Sequence, residues 1–240
     1  MKGVILQPGY IPWLGFFNQM LQADLFIYLD DVQYDRRGWR NRNRILGPRD
    51  PIWLTVPVIQ KGLYHQPLNL TRIDNSSDWA SKHLTSLRHA YSKTPCFARY
   101  FPDLEQTLRQ SFDLLVDLDY ALIDLMRQWL GVSCPLRKSS DFSLHTDDKT
   151  GRLVELCMIN GVTDYISGPL CRNYMDDSQL TENGITLWLH EYHHPQYNQR
   201  REPFVPFLSA LDLLFYEGPQ SGRIIRDDDA LVRYDPSSVN

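Results

Sequence analysis

The pattern that most constrains the fold is the order of elements from Val4 to Leu29. Val4-Ile5-Leu6 is a short apolar run ended by Gln7-Pro8-Gly9, which reads as a buried strand entering a turn. From Pro12 the period changes. Trp13, Phe16, Phe17, Met20 and Leu21 recur at helical spacing, and proline suits the first turn of a helix. Leu25-Phe26-Ile27-Tyr28-Leu29 then gives a second buried strand, ended by Asp30-Asp31. Strand, helix and strand in so short a span form a β-α-β unit, which requires parallel strands joined by a right-handed crossover.

The remaining patterns extend that unit. Residues 35–50 read as a loop entering a hairpin, and Ile52–Val58 as the next strand. From Ser77 to Leu130 the chain is helical in three pieces: one marked by Trp79, His83, Leu84, Leu87 and Tyr91, one from Cys96 to Phe112 with a break expected at Pro102, and one from Phe112 to Leu130. Strands are expected at Leu136–Ser139, Asp164–Ile166 and Ile185–Leu189. Helices are expected at Lys149–Asn160, Leu170–Met175 and Pro206–Phe215. The expected fold class is α/β, a parallel-sheet Rossmann-like core with an all-helical insert. The core takes residues 1–74 and 132–226, the insert 75–131 and a frayed tail 227–240, in one compact unit.

Composition narrows the function classes. At 240 residues, 42% hydrophobic and 22% charged, the chain is an ordinary globular one. No run approaches the roughly 18 apolar residues of a membrane span, and MKGVILQPGY lacks the apolar core and cleavage site of a secretory leader. Cys96, Cys134, Cys157 and Cys171 form no CxxC pair, so reduced thiols in the cytoplasm are expected and a zinc site is not. A net charge of −4 argues against a general nucleic-acid binder. Yet arginine outnumbers lysine 19 to 6, and six arginines fall between Arg36 and Arg49. Arginine suits bidentate recognition of phosphate or carboxylate.

Four places could carry chemistry. In parallel sheets ligands bind beyond the carboxyl ends of strands, where helix N-termini present free N–H groups to anions. The turn from Gln7 to Phe17 occupies such a place, with Gln7 and Gly15 as candidate ligand contacts and Tyr10 and Trp13 placed to stack on a base or sugar. The other reading is a rigid turn whose aromatics pack into the core. Next, Asp30 and Asp31 are candidate catalytic or Mg²⁺-binding groups at a strand end. Beside them Gln33, Arg37, Trp39, Asn41, Arg42, Asn43 and Arg44 are candidate contacts to phosphate and sugar. The other reading is internal Asp–Arg pairing that fixes the loop. Third, Ser167 and Gly168 with Arg172 form a second anion cradle; no GxSxG elbow surrounds Ser167. Fourth, His190-Glu191-Tyr192-His193-His194-Pro195-Gln196-Tyr197 lacks the HExxH spacing of a zinc site and reads as a loop lining the substrate, with His194 and Tyr197 the candidates. Asp212, inside an apolar helix, needs a buried partner, either an arginine of the Arg36–Arg49 segment or the ligand.

The run ILQPGYIPWLGFF, followed by ADLFIYLDDVQYDRRGWRNRNRI, resembles the opening signature of the WbqC-like family, and WLTVPV, YISGP, HHPQY and FVPFLSALDLLFYEGP follow in that family's order. The resemblance covers nearly the whole chain and implies a part in surface-polysaccharide assembly of the O-antigen type. Leu6 stands where a polar residue, often histidine, is expected in relatives. The opening is also similar in shape to the nucleotidylyltransferase and class I aminoacyl-tRNA synthetase superfamily, which implies a nucleotidyltransferase-like core. There Gln7-Pro8 and Ile166-Ser167-Gly168 with Arg172 would grip the phosphates of ATP, although Tyr10 and Trp13 stand where that superfamily carries two histidines. The implied activity is a transferase or ligase acting on a nucleotide sugar, with ATP and Mg²⁺ as the candidate cofactor. In its most concrete form, ATP would activate an amino acid or small acid for amide formation on a nucleotide-linked amino sugar. The alternatives are transfer from an aminoacyl-tRNA and a non-catalytic nucleotide- or sugar-binding module.

Overall fold

The computed structural model describes residues 1–235. Its strands are β1 (Lys2–Leu6), β2 (Leu25–Tyr28), β3 (Arg42–Ile45), β4 (Ile52–Thr55), β5 (Leu136–Lys138), β6 (Asp164–Ser167), β7 (Thr186–His190) and β8 (Leu231–Arg233). Its helices are α1 (Leu14–Gln22), α2 (Trp79–Tyr91), α3 (Phe97–Leu108), α4 (Leu115–Trp129), α5 (Lys149–Asn160), α6 (Asp177–Glu182), α7 (Ala210–Glu217) and α8 (Ser221–Ile224). Six strands make the main sheet in the order β5-β2-β1-β6-β7-β8. The first five in that order run parallel, and β8 is antiparallel to β7. The fold is therefore the expected α/β class.

Period-two alternation along the central strands feeds two cores. Val4, Phe26, Tyr28 and Ile166 point to one face, where α1, α2, α3, α4 and α7 pack. Ile5, Leu25, Ile27 and Tyr165 point to the other, covered by α5 and α6. Helices cover both faces, so the central strands are apolar without interruption, as Val4-Ile5-Leu6 and Leu25–Leu29 are.

Several local expectations are corrected. Helix α3 runs through Pro102. The carbonyl left without its donor belongs to Ala98, which like Pro102 faces solvent, so water replaces the missing bond. Helix α7 begins at Ala210, not Pro206, because the Ser209 side chain caps the Leu211 N–H. The expected fraying from residue 227 does not hold for residues 231–233, which form β8 on the β7 edge. Residues 236–240 lie outside the described residues. β3 and β4 form a separate two-stranded antiparallel sheet.

Candidate functional site

The strand order reverses at β1. The chain proceeds from β1 to β2 and β5 on one side, then returns to place β6 and β7 on the other. A crevice forms beyond the carboxyl ends of strands at such a switch point. The cleft here has a volume of about 1070 Å³. Gln7 enters it from the end of β1, Val32 to Arg37 from the loop after β2, and Ser167 and Gly168 from the end of β6. Lys149 and Arg152 enter from the first turn of α5.

The charged lining is one-sided. Arg36, Arg37, Arg40, Lys149 and Arg152 face a single carboxylate, Asp35. No arginine of the Arg36–Arg49 segment forms an ion pair among the described residues, so the reading of internal Asp–Arg pairs within that segment is corrected. Arg40 donates from one nitrogen to the carbonyls of Gln7 and Pro8, at 2.8 and 3.1 Å, and so straps the β1 turn to the β2 loop. Arg36 lies over the Tyr64 ring at 4.9 Å. The Arg37 and Lys149 side chains have no hydrogen-bond or ion-pair partner among the described residues. The buried Tyr34 hydroxyl also lacks a partner, and burial pushes its phenol up to about 12. An extra Cβ on Gly168 would meet nothing within 4 Å, so its backbone borders open space.

The two candidate carboxylates are engaged elsewhere. Asp30 is 2% exposed and accepts three hydrogen bonds, from the Tyr120 hydroxyl, the Ser140 hydroxyl and the Ser140 N–H, while its own N–H donates to the Ser139 hydroxyl. It ties the end of β2 to α4 and to the turn after β5, and cannot reach a substrate. Asp31 holds Arg152 at 2.6 Å and accepts from Ser139. Only one nitrogen of the Arg152 guanidinium is used, so Asp31 aims the remaining donors of Arg152 at the cleft wall.

Of the sequence candidates, Gln7, Gln33, Arg37, Ser167 and Gly168 share this cleft. The others do not line it. Tyr10 is fully buried and its hydroxyl meets the His83 Nδ1 at 2.9 Å, so stacking on a ligand is corrected to core packing. Trp13 packs against Tyr192 and Phe207. Gly15 serves Trp13, whose ring lies so close that any Cβ would collide with it. The α1 N-terminus is thereby covered, with Leu14, Gly15, Phe16 and Phe17 all buried, and does not cradle an anion. Asn41 donates to the Val56 carbonyl, and Asn43 to the carbonyls of Tyr10 and Ile11. Ile11 has a positive φ of 37°, a strained state for a β-branched residue, and Asn43 clamps it there. Arg42 braces its own loop through the carbonyls of Arg37 and Gly38. Arg44 reaches the Phe207 carbonyl, and Trp39 lies on the solvent face of the β3–β4 hairpin. Arg172 pairs with Glu191. Tyr197 donates to Asp212, which also accepts from Tyr91 and Gln199; burial pushes the Asp212 carboxyl up, and neither an arginine nor the cleft is its partner. His194 bonds the Pro195 carbonyl and the Phe207 N–H and lies outside the cleft lining, so its catalytic candidacy is corrected.

Residue-by-residue reading assigned no site role to Arg36, Arg40, Lys149 or Arg152. The last two carried a signal. Two cations in the first turn of a helix oppose its dipole, an arrangement that costs stability unless an anion answers it.

Comparison with known proteins agrees with the signature. The WbqC-like protein family matches residues 7–224. The chain belongs to the WbqC-like family. A relative in Mycobacterium tuberculosis (strain ATCC 25618 / H37Rv), uncharacterized protein Rv1507c, is 38% identical over 227 residues, covering 94% of this chain and 97% of the relative. No solved structure matches, and the likeness of the opening to the nucleotidylyltransferase superfamily finds no support in these comparisons. Among the described residues no helix is long and apolar enough to cross a membrane, and no group of three or more His, Cys, Asp or Glu is placed to hold a metal ion.

Proposed function

We infer that this WbqC-like protein binds a nucleotide or nucleotide-linked sugar in the cleft between β1 and β6, in the service of surface-polysaccharide assembly. The observation that carries this reading is the set of five cations facing one carboxylate at a strand-order reversal, with Arg37 and Lys149 unpaired. A diphosphate supplies the negative charge that such a lining lacks, and charge-assisted bonds to arginine are among the strong ones. Gly168 leaves room for a phosphate to approach backbone, and the exposed Tyr64 offers a ring face in the same cleft. ATP would fit the same lining, its Mg²⁺ carried on the phosphates. All four cysteines are free thiols, in keeping with a cytoplasmic site of action.

Thermal shift against uridine, adenosine and thymidine diphosphate sugars and against ATP with Mg²⁺ tests the reading. Binding at a hundredfold excess over Kd adds about 2.7 kcal/mol, a rise of several degrees for a chain of this size. Lys149→Ala should cut that rise by about half or more. No shift with any of these compounds would refute the nucleotide site.

One observation favours a second reading, the non-catalytic binding module. Asp30 and Asp31 are committed to Tyr120, Ser139, Ser140 and Arg152, and His194 lies outside the cleft. Incubation with ATP, Mg²⁺, amino acids and a nucleotide-linked amino sugar separates the two. Release of AMP or phosphate with a mass-shifted sugar supports the ligase, RNase-sensitive transfer supports an aminoacyl-tRNA donor, and binding without turnover supports the module.

A further inference from the structure

The β3–β4 hairpin carries a second surface that the cleft does not use. In its register Arg44 lies directly opposite Trp53, and Arg42 opposite Thr55. Asn43 and Ile45 point inward, so alternation sends Arg42, Arg44 and Trp53 to the solvent side. Trp39, from the loop before β3, stacks on Trp53 with ring centroids 5.0 Å apart and planes inclined by 37°. Arg42 sits 4.7 Å from the Trp53 ring, and Arg44 sits 5.6 and 5.8 Å from the rings of Trp39 and Trp53. The two tryptophans are still 43% and 47% exposed. Large indoles so open to water on a two-stranded sheet mark a contact surface.

The chemistry of the surface selects its partner. Arg42 and Arg44 bond only backbone carbonyls, so their charges are not neutralised. The amides of this segment, Asn41 and Asn43, turn inward and are spent on backbone. A neutral sugar would need carboxylates or amides for its hydroxyls, and the surface offers rings and guanidiniums instead. Flat rings joined by anions are the matching partner. Base stacking on aromatics with cations along the phosphates is the mode of single-strand recognition. A duplex hides its base faces, and the chain's net charge of −4 limits the contact to a short segment. Unpaired bases occur most often at the loops and ends of RNA.

We propose that the Trp39–Trp53–Arg42–Arg44 surface binds a short unpaired stretch of RNA, separately from the nucleotide cleft. The experiment uses the full chain and a labelled short single-stranded RNA, read by fluorescence anisotropy. Binding should weaken with salt at a log–log slope of about −1.4, the value for two phosphate contacts on a single strand. Trp39→Ala with Trp53→Ala, or Arg44→Glu, should weaken it tenfold or more, while Lys149→Ala leaves it unchanged. In the unaltered chain, ultraviolet crosslinks mapped by mass spectrometry should fall on Trp39 or Trp53, which keeps the test open if a variant misfolds. The proposal is overturned if RNA does not bind, if crosslinks fall elsewhere, if dextran sulfate binds as tightly as RNA, or if a neutral oligosaccharide binds the hairpin and RNA does not.

Discussion

Two loops leave neighbouring parallel strands at the same edge of the sheet and meet opposite fates. The loop after β1, Gln7 to Trp13, turns its aromatics inward: Tyr10 against His83, Trp13 over Gly15 and against Tyr192 and Phe207. The loop after β2, Val32 to Arg40, turns its arginines to the cleft. Tyrosine and tryptophan gain by burial once one polar atom is satisfied, and α2 and the segment around Phe207 supply the cover. A guanidinium resists burial without an anion, so Arg36 and Arg37 stay at the open wall, while Arg40 reaches inward to the carbonyls of Gln7 and Pro8. Contact between the loops is close. The Tyr10 N–H donates to the Arg40 carbonyl at 3.0 Å, and a Cβ on Gly9 would lie 2.8 Å from the Trp39 carbonyl oxygen. Glycine at position 9 is therefore a packing requirement and not a phosphate contact.

The contrast is breakable, and Tyr10→Ala probes it hardest. Removing a fully buried aromatic should cost about 3–5 kcal/mol by urea unfolding. Tyr10→Phe, which keeps the ring, should retain nucleotide binding. Loss of binding in Tyr10→Phe at unchanged stability would make the first loop a ligand loop after all.

Arg37→Ala and Lys149→Ala probe the second loop and its opposite wall. Each should weaken binding of whichever nucleotide sugar gives the thermal shift by about 1.5–3 kcal/mol, measured by calorimetry. The melting temperature without ligand should barely move, because neither side chain has a protein partner to lose.

Acid should act on the first loop and spare the second. Burial lowers His83, the Tyr10 partner, to about 4, and it lowers His190, held between Asn18 and Gln19, to about 4 as well. Both are neutral when folded and titrate near 6.5 when unfolded. Their contribution is therefore whole above pH of about 6.5 and is lost progressively as pH falls toward about 4. The expected loss is on the order of 1 kcal/mol or more per histidine. His83→Gln should flatten the pH dependence of unfolding in that window, and an unchanged slope would contradict the assignment. The loop from Asp30 to Arg49 holds no histidine.

The smallest effect is expected at Asp119. It is buried in α4 with both carboxylate oxygens unpartnered, and it couples electrostatically to Tyr10 and Arg40. Burial holds its carboxyl well above the usual range, which favours the neutral acid in the folded state, and Arg40 opposes that shift. Asp119→Asn should then change stability by less than about 1 kcal/mol. A large loss in chemical denaturation would mean an ionised Asp119 paired with Arg40.

The cleft was half legible in the sequence. Gln7, Arg37, Ser167 and Gly168 follow from one rule, that ligands sit beyond the carboxyl ends of parallel strands. Asp30 and Asp31 obey the same rule, yet Tyr120, Ser139, Ser140 and Arg152, from 90 to 121 residues away, take up their oxygens. Asp212 looked like a partner for arginine, and two tyrosines with Gln199 satisfy it instead. The miss has one cause: a buried carboxylate announces that it needs donors, but the sequence does not say which ones arrive.

The sequence by itself determined the β-α-β opening, the parallel sheet, the helical stretch between residues 77 and 130 and the edge at which a ligand would lie. Those follow from periodicity and strand polarity, which are local properties of the chain. The tertiary structure alone decided which polar side chains remain free. That depends on neighbours remote in the chain: α2 covering Tyr10, α5 bringing Lys149 and Arg152 to face Arg37, and β3 pairing with β4 to lift Trp53 and Arg44 into solvent. Side-chain direction is set by packing across the fold, and packing is not written at any single position.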